Sequence, residues 1–358
     1  MNVIYISNNL NSSASGAGAV SFSNLLIVKE VAGNCHEVRV EKLIQQKTGI
    51  SIFSRIATLF FSLLGFSGGL GPKRMRDILN MQEVKNCDCI WLDSSLYGRL
   101  VKQIKNAYPS KKVITFFHNV EFDFMRVLAK NRGFLFYPIL KSSCYNEMLA
   151  VKYSDYILTL TNEDSIKLNE LYGRAADLVL PVSFDSTVGE VGCLSSDLLF
   201  VGSDFPPNVE ALKFLASKVM PFVDRTLTVI GKGMEKYSDD YNSSNIQVLG
   251  YVEDVTQYYQ MCNIVLTPIF SGAGMKVKVA EALSFGKIIL GTEFSFVGYE
   301  KQDGIEEFLI CAETSEEYIE LLQSTYPSYC NNSKNYFDNN YSSQNNNDKI
   351  KKLLSDMH

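Results

Sequence analysis

Lys276 and Lys278 stand just after a Gly-x-Gly turn and just before Glu281, in the stretch SGAGMKVKVAEALSFGKIILGT (271–292). The turn, through Gly272, Ala273 and Gly274, offers backbone that can come close to a ligand. The run beginning at Met275 reads as a helix, so both lysines fall near an N-terminus, where the macrodipole disfavours a cation by roughly 0.3–1 kcal/mol. An anion would reverse that penalty, because first-turn amides and two ammonium groups could converge on it. Taken alone, Lys278 and Glu281 at i,i+3 could be a surface ion pair worth at most about 0.5 kcal/mol. The glycine turn and the position after an apolar strand favour the anion site.

A second group of reactive residues lies in the first half. There are only three histidines, at 36, 118 and 358, and His118 directly follows the strand-like KVITFF, so it is the catalytic candidate. Beyond it, Asn119, Glu121 and Asp123 are either ligand-facing groups or a helix start with a capping Asn and early acids. Asp93 and Ser94 in LDSSLYG (92–98) also follow a strand and could line the same ligand site. In NNLNSSASGAG (8–18), Gly16 and Gly18 offer a further glycine loop, without the third glycine and acidic partner of a dinucleotide fingerprint.

Such residues need a scaffold, and the apolar runs supply one. Strands are expected at 2–7, 36–40, 89–93, 112–117, 155–160 and 177–181, then at 198–202, 227–231, 246–250, 263–268, 287–292 and 308–311. Most are separated by helical patterns, the signature of parallel sheets covered on both faces. The near restart after residue 181 predicts an α/β protein with two Rossmann-like doubly wound domains facing a central cleft. The boundaries read as 1–181, a linker over 182–197, a second domain over 198–330, and a tail with a terminal helix over 331–358. Residues 331–347, rich in Asn and Ser, read as an irregular crossing. Ligands of open α/β sheets bind beyond the carboxyl ends of strands, where all the residues singled out above are found.

The 358 residues, 46% apolar and 20% charged, suffice for two cores. The net charge of −5 is unevenly spread: residues 1–180 hold 21 Lys+Arg against 15 Asp+Glu, while the remainder is acidic. That asymmetry points to an anionic ligand or surface on the basic half. No dense basic run or basic/aromatic pattern is present, which argues against nucleic acid. The eight cysteines are scattered without a CxxC pair and read as reduced thiols, so no metal site is expected. Met1 leads straight into an apolar strand without a charged leader, so a cytoplasmic location is expected, with the inner face of the plasma membrane as a variant.

The sequence resembles the retaining GT-B glycosyltransferases of the large family four, which build bacterial capsular and other lipid-linked polysaccharides. LTPIFSGAGMKVKVAEALSFGKIILGT carries the likeness most strongly, joined by FVGSDFPPNVEALKFL (200–215) and VLGYVEDVTQYYQMCNIVLTP. The resemblance implies transfer of a hexose-like sugar from a nucleoside-diphosphate sugar, a co-substrate whose base is unspecified, with no other cofactor. It implies that Glu281 holds the ribose, that Lys278 and Lys276 hold the diphosphate, and that the 272–275 loop holds sugar and phosphate. Gly202, Ser203 and Asn208 would open the donor domain, Gly16 and Gly18 would lie under the donor phosphate, and His118 would contact the transferred sugar or the acceptor. Two features depart from the family pattern. Ala273 occupies the place of the first of two acids separated by seven residues, and Ser203 and Asn208 stand where many members carry Arg and Lys. The acceptor implied is a glycan or a lipid-linked hydroxyl, with Asp93, Ser94, Asn119, Glu121 and Asp123 as candidates for its side of the site. Alternatives are a sugar-nucleotide epimerase on the same plan, or a non-catalytic partner subunit of another transferase.

ISIFSRIATLFFSLLGF (50–66) is amphipathic, with apolar side chains at 52, 53, 56, 59, 60, 63 and 64 and Ser51, Arg55, Thr58, Ser62 and Gly65 opposite. It is a poor membrane span and reads either as core packing or as an interfacial helix in peripheral contact with a membrane, beside Lys73, Arg74 and Arg76.

Overall fold

The computed structural model describes residues 1–10, 16–41, 59–132, 136–187, 197–272 and 274–357. All twelve expected strands are present. In the first half they are β1 (Asn2–Ser7), β2 (Asn34–Arg39), β3 (Cys89–Leu92), β4 (Lys112–Phe117), β5 (Tyr156–Thr159) and β6 (Leu178–Val179). In the second they are β7 (Leu198–Val201), β8 (Leu227–Ile230), β9 (Ile246–Gly250), β10 (Ile264–Thr267), β11 (Ile288–Gly291) and β12 (Leu309–Cys311). They form two six-stranded sheets, ordered β2-β1-β3-β4-β5-β6 and β12-β11-β10-β7-β8-β9. Within each sheet every pairing is parallel. Strands buried on both faces need continuous apolar runs rather than alternation, and CIWL and IVLT, buried at every position, have that pattern.

One compact unit is built around Ala17–Pro181 and the other around Val182–Asn346, with residues 347–357 counted in the first. In the first unit Ile4, Ile6, Ile90, Leu92, Val113 and Phe117 belong to one buried cluster, and Trp91 is fully buried and stacked between Tyr5 at 5.8 Å and Phe116 at 6.5 Å. The second packs Phe200, Leu212, Met220, Leu266 and Tyr318 around its sheet. In each sheet the chain reverses its direction of growth beside the first strand, between β1 and β3 and between β7 and β10. A ligand of a doubly wound sheet sits beyond the carboxyl ends at such a point.

The tail departs from expectation. The Asn- and Ser-rich stretch is helical over Asn331–Asn340, followed by a helix at Ser343–Ser355. Its polar composition conceals an anchored face: Tyr336 and Phe337 are buried, Ser333 Oγ donates to Lys287 O at 2.8 Å, and the Tyr336 hydroxyl donates to Glu300 O at 2.7 Å. Tertiary burial outweighs the weak helix propensity of Asn and Ser here. Among the described residues no helix is long and apolar enough to cross a membrane.

One close approach sets the architecture of the first unit. The helix Gly98–Ala107 packs on Tyr137–Tyr153 so tightly that a Cβ on Gly98 would lie 1.8 Å from the Asn146 carbonyl oxygen. Asn146 then braces the contact, accepting from Arg99 N at 3.1 Å and donating to Gly65 O at 3.1 Å. Gly98→Ala must push the helices apart, and overpacking of this kind costs about 1–3 kcal/mol or more. Urea unfolding is expected to register at least that loss; parental stability would mean the helices can separate freely.

Candidate functional site

The switch point of the second sheet brings the residues after β7 beside those after β10. After β10 the chain turns through Gly272 (φ +124°) and Gly274 (φ +65°), conformations that side-chain-bearing residues rarely adopt. Ala273 lies outside the described residues. The helix that follows spans Val277–Ser284, starting later than the expected Met275. Met275 is buried instead, and Lys276 is the extended cap residue, whose side chain does not close the first turn. Both lysines thus sit at the positive end of the helix, as their spacing predicts.

Their surroundings are largely apolar. Lys276 Nζ donates to Gly274 O at 2.6 Å and lies 4.2 Å from the Phe294 ring centre. Lys278 Nζ donates to Asn208 Oδ1 at 2.7 Å and lies 4.7 Å from the Phe200 ring centre. Both residues are half-buried, and desolvation acts on their ammonium groups. Burial lowers Lys276 to about 8. Burial, then the neighbouring charge of Lys276, lowers Lys278 to about 7, against the opposing pull of Glu281. The alternative of a Lys278–Glu281 surface ion pair is not what forms: among the described residues no carboxylate lies within ion-pairing distance of Lys278. Glu281 instead accepts from the Tyr259 hydroxyl at 2.8 Å, and burial raises its carboxyl above the usual range.

Asn208 links this helix to β7. It lies in the first turn of Pro206–Phe214, and its Nδ2 donates to Ser203 O at 2.9 Å while Oδ1 receives Lys278. Gly202 is pressed against it, since a Cβ there would meet Asn208 Cγ at 2.8 Å. Gly202, Ser203, Asn208 and Lys278 therefore form one connected group, where a neutral amide anchors the lysine. Sequence reasoning overlooked two participants, Tyr259 and Gly231. A Cβ on Gly231 would lie 2.0 Å from Gly202 O. The signal was available in FVG, VIG and VLG, three strands that each end in glycine.

In the first unit, the ends of β1, β3 and β4 hold a buried polar cluster. His118 Nε2 lies 3.1 Å from Asp93 Oδ1, 3.3 Å from Ser21 Oγ and 3.4 Å from Asn9 Nδ2. Asp93 Oδ2 accepts from Ser7 Oγ at 2.6 Å. Asp93 was expected to line an acceptor surface, but it is 0% exposed and sits behind the histidine, fixing the ring. His118 Nδ1 is buried and meets no partner among the described residues.

The remaining first-unit candidates hold local structure. Ser94 caps the short helical turn Ser95–Tyr97 by accepting from Leu96 N. Asn119 is half-buried; among the described residues it is the Glu147 carboxylate that caps the helix Glu121–Arg132, accepting from Glu121 N at 2.6 Å and Phe122 N at 3.1 Å. Burial pushes Glu147 up to about 7. Asp123 pairs with Arg126 at 2.6 Å and Lys167 at 3.4 Å. Gly16 and Gly18 belong to the helix Gly16–Val31 rather than to a loop.

Of the amphipathic stretch, residues 50–58 lie outside the described residues, and 59–63 are helical. Here Ser62 of the polar face is buried, while Phe60, Leu63 and Leu64 of the apolar face are exposed at 57, 70 and 47%, which is not core packing. Lys73, Arg74 and Arg76 are exposed as well.

Residues 195–326 match the family described as glycosyl transferases group 1. A Klebsiella pneumoniae protein described as an uncharacterized 44.6 kDa protein in cps region is 23% identical over 253 residues, and the chain spans 63% of that relative's length and 63% of its own. The crystal structure of Anabaena Alr3699/HepE in complex with UDP superposes with a TM-score of 0.69 at 13% identity, covering 99% of this chain and 100% of that one. A glycosyltransferase from Rickettsia africae gives 0.62 at 12% identity, over 99% and 98%. The pneumococcal O-GlcNAc transferase GtfA, solved with UDP and GlcNAc, gives 0.53 at 14% identity, over 75% and 56%. The architecture is the GT-B fold.

Proposed function

We propose that the protein, with a group 1 glycosyl transferase segment set in a GT-B fold, moves a sugar from a nucleoside diphosphate to a hydroxyl of a glycan or lipid-linked acceptor, with retention. The observation that carries this reading is the pair of largely desolvated lysines at a helix start on the sheet's switch point, beside a glycine turn. A buried amine with a lowered pKa is costly unless an anion restores its charge, and a diphosphate has the charge and size to do so. Lys276, Lys278 and the first-turn amides would hold the diphosphate and stabilise the charge that grows on it as the glycosidic bond breaks. Asn208 would keep Lys278 in place, and Ser203, Gly202 and the 272–275 loop would border phosphate and sugar. Glu281 would accept from the ribose. His118, fixed by Asp93, would contact the transferred sugar or the acceptor.

In this reading the acceptor attacks on the face the diphosphate leaves, and the leaving phosphate takes the acceptor's proton, so no protein nucleophile is required. The UDP bound in similar structures makes a UDP-sugar the first donor to test. The cps region of the Klebsiella relative supports a role in cell-surface polysaccharide synthesis. The exposed apolar side chains at 60, 63 and 64, with basic neighbours, support peripheral contact with the inner face of the plasma membrane, where a lipid-linked acceptor would be met.

A thermal-shift series with UDP, GDP, CDP and ADP tests the donor assignment. One of them is expected to stabilise the protein, by about 2.7 kcal/mol at a hundredfold its Kd. Glu281→Ala is expected to lose most of that shift; full retention would remove the carboxylate from the nucleotide site.

A further inference from the structure

Glu281, half-buried, uses its two carboxylate oxygens unequally. Oε2 accepts the Tyr259 hydroxyl at 2.8 Å, whereas no described residue donates to Oε1. Glu147, by contrast, uses both oxygens on the backbone of a helix start and adds the Tyr172 hydroxyl at 2.8 Å. Glu281 is half-buried, so an oxygen that no described residue donates to is open to a hydroxyl brought by a ligand.

Tyr259 itself has little freedom. It is fully buried in the helix Thr256–Met261, and its ring stacks on Phe285 at 4.8 Å with an interplanar angle of 11°. Phe285 terminates the helix that carries Glu281, so the tyrosine is held against the same element that bears the carboxylate. Burial raises the Tyr259 hydroxyl well above its ordinary value, which keeps it a proton donor at every physiological pH.

We propose that Tyr259 is a positioning residue for nucleoside recognition: it commits Glu281 Oε2 to itself and leaves Oε1 as the acceptor for a ribose hydroxyl, making the site select ribonucleotides over their deoxy forms. This rests on the assignment of Glu281 to the ribose. Without the tyrosine hydroxyl the carboxylate is free to rotate, its charged form loses a donor, and neither oxygen is held toward the ligand. The loss falls on the hydroxyl contact and not on the diphosphate, which the lysines hold separately.

The test measures Kd by calorimetry for whichever of UDP, GDP, CDP and ADP binds, together with its 2′-deoxy and 3′-deoxy forms. The parent protein is expected to prefer the ribonucleotide to at least one deoxy form by about tenfold or more. Tyr259→Phe is expected to shrink that ratio roughly 3- to 10-fold while leaving the deoxynucleotide Kd nearly unchanged. Glu281→Gln should also shrink it. If Glu281→Gln leaves the ratio intact, or no nucleotide binds, the underlying ribose assignment fails. If Glu281→Gln shrinks it and Tyr259→Phe does not, or if Tyr259→Phe weakens ribo and deoxy forms equally, the positioning role is overturned. Should Tyr259→Phe fail to fold, Phe285→Leu keeps the hydroxyl but releases the ring; a lowered ratio supports the proposal and an unchanged one overturns it.

Discussion

Lys278→Met is expected to weaken nucleoside-diphosphate binding by about a hundredfold while leaving the ligand-free protein at least as stable as the parent. The two halves of that expectation share one cause. In the free protein the ammonium is withdrawn from water between the Phe200 ring and Asn208, and burial lowers it to about 7. Methionine keeps the stem's packing and removes a group whose burial is costly. In the complex the same ammonium would face a diphosphate, and a charge-assisted contact is worth about 1.5–3 kcal/mol. Calorimetry and a melting curve check both parts; unchanged affinity would place the diphosphate elsewhere.

The same lysines fix how affinity depends on pH. Below about 7 both are charged in the free protein, so binding takes up no proton at either. A bound diphosphate raises both pKa values. As pH rises past about 7 for Lys278 and about 8 for Lys276, binding must take up protons, and affinity falls by up to about tenfold per pH unit for each lysine. Lys278→Met should lack the lower inflection. The ligand-free fold responds oppositely. Unfolded lysine holds its proton up to about 10.4, so between about 7 and that value the unfolded chain binds more protons and these groups favour folding as pH rises.

His118→Gln is expected to cut sugar transfer by about a hundredfold or more without changing the nucleotide-induced thermal shift. Glutamine can place an amide near the position of Nε2 and so keep a donor for Asp93, which is fully buried and would otherwise lose that partner. Only the imidazole is removed, and loss of one positioned polar group at a reacting centre typically costs about 10²–10³. Release of free sugar from the nucleotide sugar provides a readout that needs no acceptor. Parental turnover in this variant would take His118 out of the chemistry; a parent with no turnover at all would favour the non-catalytic partner.

Much of this was legible because it is local. Twelve apolar runs identify twelve strands, and three of those in the second unit end in a glycine at the face where ligands bind. The lysines are visible as misplaced charges on a helix start. What sequence could not supply depends on partners far along the chain. Asp93 reads as a surface acid until β4 brings His118 against it. Glu147 caps a helix that begins 26 residues earlier, a contact made only when two helices pack. Tyr259 and Glu281 meet 22 residues apart, across β10 and the glycine turn. The tail misleads for a different reason: Asn and Ser dominate its composition, while Tyr336 and Phe337 decide its conformation.

Gly231 meets the Gly202 carbonyl main chain to main chain, and Gly202 in turn meets the Asn208 side chain. The first contact cannot be retuned by substitution at Gly231, because a Cβ there would lie 2.0 Å from the Gly202 oxygen. If the proposed donor sits above these glycines, a change in which sugar or base is accepted would come from the walls, from groups such as Ser203, Asn208 and the 272–275 turn. Libraries meant to redirect this protein would do best to leave the two glycines untouched and vary those walls.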